Sequence, residues 1–129
     1  MKSRWWNSQR VLWNMKSACF FLSLLSVAEE YNKSKVDLLD AARYCMEKGW
    51  IDAEYFVSND VKVLEWLTGK KVRKNVVDKV GILAANVYSI EKWEWNGGNH
   101  FRRRGFDVYE GSQTVAKGDR VCYYVYTIG

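Results

Sequence analysis

The run Ser17-Ala18-Cys19-Phe20-Phe21-Leu22-Ser23-Leu24-Leu25-Ser26-Val27-Ala28-Glu29-Glu30 constrains this chain more than any other stretch. Phe20, Leu24, Val27 and Tyr31 recur at helical spacing, and Phe21, Leu25 and Ala28 widen the stripe. That pattern predicts a helix over about residues 17–31, enclosed by a core around most of its circumference. Ser17 is placed to cap the helix by accepting from a first-turn amide. Cys19 then sits at the positive end of the helix dipole, where a thiolate is favoured. A second reading takes Lys2, Arg4 and Arg10 ahead of Ala18–Ala28 as a secretory signal with Ser26-Val27-Ala28 as its cleavage site. Its length and Trp5, Trp6 and Trp13 within it speak against a signal.

After this helix come more helices, and after those the pattern changes. Residues 1–16 are aromatic and basic without a period and read as a packed N-terminal arm. Ser34-Lys35-Val36-Asp37 resembles a capping box opening a second helix, with Val36, Leu39, Ala42 and Met46 on one stripe and Gly49 as its stop. Trp50–Val57 reads as a connection with extended character. Ser58 or Asn59 caps a third helix, Asp60–Thr68, with Val61, Leu64 and Leu67 inward and Gly69 ending it.

From Lys70 to Val77 the chain can form a strand with a basic solvated face, and 81–87 is either a short helix or a loop. Tyr88, Ile90, Lys92 and Glu94 alternate against Ser89, Glu91, Trp93 and Trp95, a strand pattern. Asn96-Gly97-Gly98-Asn99 is turn chemistry. His100–Arg103 and Phe106–Tyr109 read as short strands about Arg104-Gly105, and Val121–Tyr126 as a closing strand. Helices first and an antiparallel sheet second make a single α+β domain over residues 1–129.

Composition narrows the functional classes. The 129 residues suffice for one core, and 48% hydrophobic with 16% aromatic residues is a globular composition. Three cysteines, Cys19, Cys45 and Cys122, and one histidine lack metal-ligand spacing, so no metal site and no cofactor are expected. An odd cysteine count without a disulfide framework points to a reducing, cytoplasmic setting. No apolar run approaches the ~20 residues of a membrane span. Glu91, Glu94 and Glu110 form no convincing acid pair, which leaves glycosidase chemistry unsupported.

Cys19, His100 and Asp107 are the residues that could carry chemistry together. Thiol attack on a carbonyl needs a thiolate, a base for its proton and a group that orients the base. The helix end favours the thiolate, His100 follows a tight turn and starts a strand, and Asp107 lies across a short hairpin from it. A cysteine in an apolar helix is more often a small buried hydrophobe. Arg102-Arg103-Arg104 and Lys70–Lys74 are the basic clusters, read either as solvated faces or as phosphate contacts with Trp93, Trp95 and Tyr109 for stacking.

The order of a cysteine opening a helix, further helices, then Gly98-Asn99-His100-Phe101 leading into a sheet resembles the papain-like cysteine peptidase superfamily. The likeness is to its compact bacterial and phage branch, related to bacteriocin-processing and cell-wall peptidases. Phe106-Asp107-Val108-Tyr109, the tail Gly111-Ser112-x-Thr114-Val115-x-x-Gly118, Gly49-Trp50-Ile51 and Leu67-Thr68-Gly69-Lys70-Lys71 look like segments of small members. The resemblance implies a papain-like core and a peptidase or amidase acting on a peptide or protein substrate, cell-wall peptide included. Cys19 would be nucleophile, His100 general base and then acid, and Asp107 the orienter. The oxyanion-hole Gln that such enzymes carry about six residues before the Cys is Trp13 here, with Asn14 and Gln9 as the nearby amide side chains. Val108 stands where the family often has Pro. The alternatives are a papain-like binding protein without turnover and a basic nucleic-acid-binding module.

Overall fold

A computed structural model describes residues 18–103 and 112–129. The elements are α1 (Ala18–Asn32), α2 (Leu38–Glu47), α3 (Asp60–Thr68), β1 (Val72–Val77), β2 (Val87–Trp95), β3 (Gly98–Arg102), α4 (Gln113–Lys117) and β4 (Asp119–Ile128). All pairings are antiparallel, and the strand order across the sheet is β1-β4-β2-β3. The chain is therefore α+β, helices followed by a four-stranded antiparallel sheet, as its patterning predicts.

Helix α1 is the centre of the core. Ala18, Phe21, Leu22, Leu24, Leu25, Val27 and Ala28 are all fully buried. The run that imitates a signal peptide's apolar region is thus the interior of the fold. Phe20 and Tyr31, expected on the inner stripe, are only half-buried. Two serines on this helix are buried as well, and each is satisfied. Ser23 Oγ donates to the Cys19 carbonyl at 2.8 Å, and Ser26 Oγ accepts from Arg103 at 2.9 Å.

Helix α2 begins three residues later than a Ser34 cap would place it. Asp37 is the N-cap, its carboxylate accepting from the Asp40 amide at 2.9 Å. The stripe rotates accordingly: Ala41, Ala42 and Cys45 are buried, and Leu39 is 72% exposed rather than inward. The small side chains Ala41, Ala42 and Cys45 thus take the inner face in place of the larger Leu39. Gly49 follows the helix at φ 75°, the left-handed conformation that a stop position requires. Ile51 and Val57 form an isolated antiparallel bridge in the connection that follows.

Asn59 caps α3 by accepting from the Lys62 amide, and Gly69 ends it at φ 69°. Val63 and Leu64 are its fully buried residues, with Val61 and Leu67 packing at the core's margin. Asn96 at φ 51° and Gly97 at φ 79° make the two-residue connection between β2 and β3, matching strand twist. The segment between β1 and β2 contains no helix. Helix α4 is unforeseen in the sequence. The expected strand Phe106–Tyr109, the N-terminal arm and the Ser17 cap lie outside the described residues.

The two sheet faces are distinct. Tyr88 meets Tyr31 of α1, and Ile90 beside it is fully buried, so Tyr88, Ile90 and Lys92 face the helices. Ser89, Glu91, Trp93 and Trp95 take the outer face by alternation. Where β2 pairs with β4, the register shifts between Lys92, opposite Cys122, and Trp93, opposite Arg120. Val121 is the extra residue of this β-bulge, and it is exposed.

Candidate active site

Cys19 lies in the first turn of α1, one residue inside the helix start, and is 4% exposed. It is a free thiol, like Cys45 and Cys122, and all three are buried. His100 is the third residue of β3 and is also 4% exposed. β3 is the edge strand, formed by the hairpin turn at Asn96-Gly97 that reverses the chain after β2.

The elements carrying the two residues touch at the positions next to them. The rings of Phe20 and Phe101 stack at 4.2 Å between centroids and 16° between planes. Ser23 Oγ, besides its bond to the Cys19 carbonyl, is 3.5 Å from the Phe101 carbonyl oxygen. One turn of α1 is thereby held to the backbone that immediately follows His100. Farther along, Arg103 donates to Ser26 and to Glu30, at 2.9 and 3.1 Å, so helix and strand stay side by side. Tyr124 of β4 completes an aromatic cluster, 5.6 Å from Phe20 and 5.7 Å from Phe101.

Alternation directs Phe101 toward α1 and His100 to the other side of β3, with Trp93 as its direct cross-strand partner. Among the described residues no further strand pairs with β3 on its outer margin, and His100 itself is buried. Asp107, Asn14 and Gln9 lie outside the described residues. Of the five residues the sequence singles out, Cys19 and His100 are on adjoining elements.

Of the other two thiols, Cys45 is fully buried. Desolvation pushes the Cys45 thiol up to about 11, which keeps it protonated and inert at neutral pH. Cys122 sits on the helix-facing side of β4, opposite Lys92. Among the described residues no group of three or more His, Cys, Asp or Glu is arranged to hold a metal ion. No described helix is long and apolar enough to cross a membrane.

The basic clusters prominent in the sequence are engaged in part within the fold. Arg102 pairs with Glu91 at 2.9 Å, Arg103 with Glu30 at 3.1 Å, and Lys74 with Asp60 at 2.7 Å. Arg104 lies outside the described residues. Sequence inspection missed two sets of residues: the Phe20–Phe101–Tyr124 cluster, which only contact across elements reveals, and Arg120 with Lys117, which stand alone in sequence. Comparison with protein-family models, with curated proteins and with solved structures finds no match.

An open cleft of about 690 Å³ lies elsewhere, walled by Glu30, Arg103, Tyr88 and the loop 80–85. Glu30 is eleven residues beyond Cys19, roughly 16 Å along the helix axis, so this cleft is not where Cys19 would act.

Proposed function

We propose that this chain is a papain-like cysteine peptidase or amidase of the compact bacterial and phage kind, hydrolysing peptide bonds in a peptide or protein substrate. The supporting observation is the contact of the first turn of α1 with β3 at the residues that follow Cys19 and His100. Cys19 Sγ, as thiolate, attacks the scissile carbonyl carbon and forms a tetrahedral oxyanion. The Cys19 amide supplies one donor to that oxyanion, and Asn14 or Gln9 a second. His100 gives its proton to the leaving amine as the C–N bond breaks. Water then attacks the thioester, His100 takes the water's proton, and the acid product leaves as the thiolate is restored. Asp107 orients the imidazole.

The buried Cys45 and Cys122 serve as internal references for a test. The native protein is treated with a peptidyl thiol-directed electrophile and the adduct is located by mass spectrometry. A single adduct at Cys19 is expected, with its rate reduced by about 10²–10⁴ in His100→Ala, the range for loss of a general base. Labelling of Cys19 no faster than Cys45 in the folded protein would refute the proposal.

A further inference from the structure

The outer sheet face carries cations laid over aromatic rings. Arg102 lies over Trp93 at 5.0 Å, Lys117 over Trp95 at 5.2 Å and Arg120 over Tyr123 at 4.7 Å. Trp93 and Trp95 are half-buried, while Lys117 and Arg120 are exposed. The Ser89–Glu91 end of the same face is closed: Glu91 is 6% and Ser89 8% exposed. A partly accessible strip therefore runs from Trp93, beside the buried His100, to Trp95, flanked by α4 and by the start of β4.

Two features show that this strip is built. The buried Glu91 carboxylate accepts from Trp93 Nε1 at 2.8 Å and from Arg102 Nε at 2.9 Å, locking the indole and the guanidinium in one arrangement. The β-bulge at Val121 sets Arg120 opposite Trp93. Without the extra residue, Val121 would face Trp93 and Arg120 would turn to the helix side. Bulges re-aim side chains in this way at functional edges.

We propose that the Trp93–Trp95 strip binds single-stranded nucleic acid, with bases against the indoles and phosphates on Arg120 and Lys117. Charge and shape favour this occupant. The one acidic group on this side of β2, Glu91, is buried and paired, and Glu94 with its partner Asp119 belongs to the opposite face. The accessible surface is thus cationic and aromatic. An acidic peptide would use the charge alone, whereas a nucleotide brings a flat base and an anion together. Trp93 and Trp95 are two residues apart on one strand, about 7 Å, so successive bases of an extended strand can each meet an aromatic surface. The proposal does not depend on Cys19 being a nucleophile.

The test is anisotropy of a labelled oligothymidylate titrated with the whole chain over a range of salt concentrations. Arg120→Gln/Lys117→Gln is expected to weaken binding about tenfold or more at low salt. It should also reduce the slope of log K against log[salt] by about 1.4, two phosphate contacts at ~0.7 each. Lys70→Gln/Lys71→Gln removes the same charge from the exposed approach to β1 and should leave both quantities unchanged. Circular dichroism establishes that both double variants are folded. Equal losses in the two variants would reduce the interaction to net charge and overturn the proposal. So would heparin competing as well as the oligonucleotide at equal charge, or no binding even at low salt.

Discussion

Tyr126 offers the sharpest check on the interior. It is fully buried in β4, and its hydroxyl donates to Asp60 Oδ2 at 2.6 Å. Lys74 Nζ lies 2.7 Å from the same oxygen and 3.9 Å from the Tyr124 ring centre. Tyr126→Phe removes one hydrogen bond to a carboxylate and opens no cavity, and Asp60 keeps Lys74. The expected cost is therefore about 2 kcal/mol at neutral pH, within the range for bonds to charged groups. The pH dependence gives a second reading. Burial, and then the Asp60 charge, raise the Tyr126 phenol above its ordinary value of 10.0. A raised acid contributes stability that is intact below the unfolded value and is lost as pH rises past it, because the unfolded chain releases the proton first. Wild type should lose about 1.4 kcal/mol from this group by about pH 11, at 1.36 kcal/mol per unit. The phenylalanine variant has no such loss, so its deficit should shrink to roughly 0.6 kcal/mol there. Cys45, Tyr55 and Tyr88, also raised, act on both proteins and cancel in the difference. Urea unfolding followed by tryptophan fluorescence at both pH values measures this directly. A deficit that stays constant with pH would mean that the phenol ionises as readily in the folded protein, and the buried Tyr126–Asp60 bond would be wrong.

Further substitutions follow from close contacts and from a buried charge. In Gly118→Ala a new Cβ would collide with the carbonyl oxygens of Glu94 and Thr114 and lie 2.8 Å from Trp95 Cβ, so the α4–β2 contact must open. A cost of about 2 kcal/mol or more in thermal or urea unfolding is expected. Gly81→Ala, with nothing within 4 Å of the added Cβ, should change stability by no more than about 0.5 kcal/mol. Glu91→Gln removes the carboxylate charge beside the Arg102 guanidinium at a site where Glu91 is 7% exposed, and should cost about 2 kcal/mol. Glu91→Ala, which removes the acceptor of the Trp93 indole N–H altogether, should also change the near-ultraviolet dichroism, and an unchanged spectrum there would contradict the Glu91–Trp93 bond.

Local signals that concern only a few adjacent residues proved legible. Gly49, Gly69 and Asn96-Gly97 need backbone conformations that few residues tolerate, and each stands where a left-handed position is required. Asn59 caps α3 and the alternation of β2 separates its two faces, since both depend on spacing alone. The rotation of α2 was not legible, because whether Leu39 or Ala41, Ala42 and Cys45 turn inward is settled by the packing of the whole helix and not by spacing within it. Likewise nothing adjacent in sequence announces that Val121 is a bulge. Only the pairing of β4 with a strand some thirty residues earlier shows it.

For the candidate sites the division is the same. By itself the sequence determined that Cys19 opens an apolar helix and that His100 follows a turn into a strand, since both are statements about neighbouring residues. Only the tertiary structure decided that α1 and β3 lie side by side, through Phe20 on Phe101 and Ser23 between two carbonyls. It also decided which cations are paired with carboxylates and which are exposed: Arg102, Arg103 and Lys74 meet carboxylates of other elements, while Arg120 and Lys117 remain at the surface over Tyr123 and Trp95. Charge is written in the sequence, but its partner is chosen by packing. A side chain's neighbours across a sheet or against a helix depend on register and rotation, which no short stretch of this chain specifies alone.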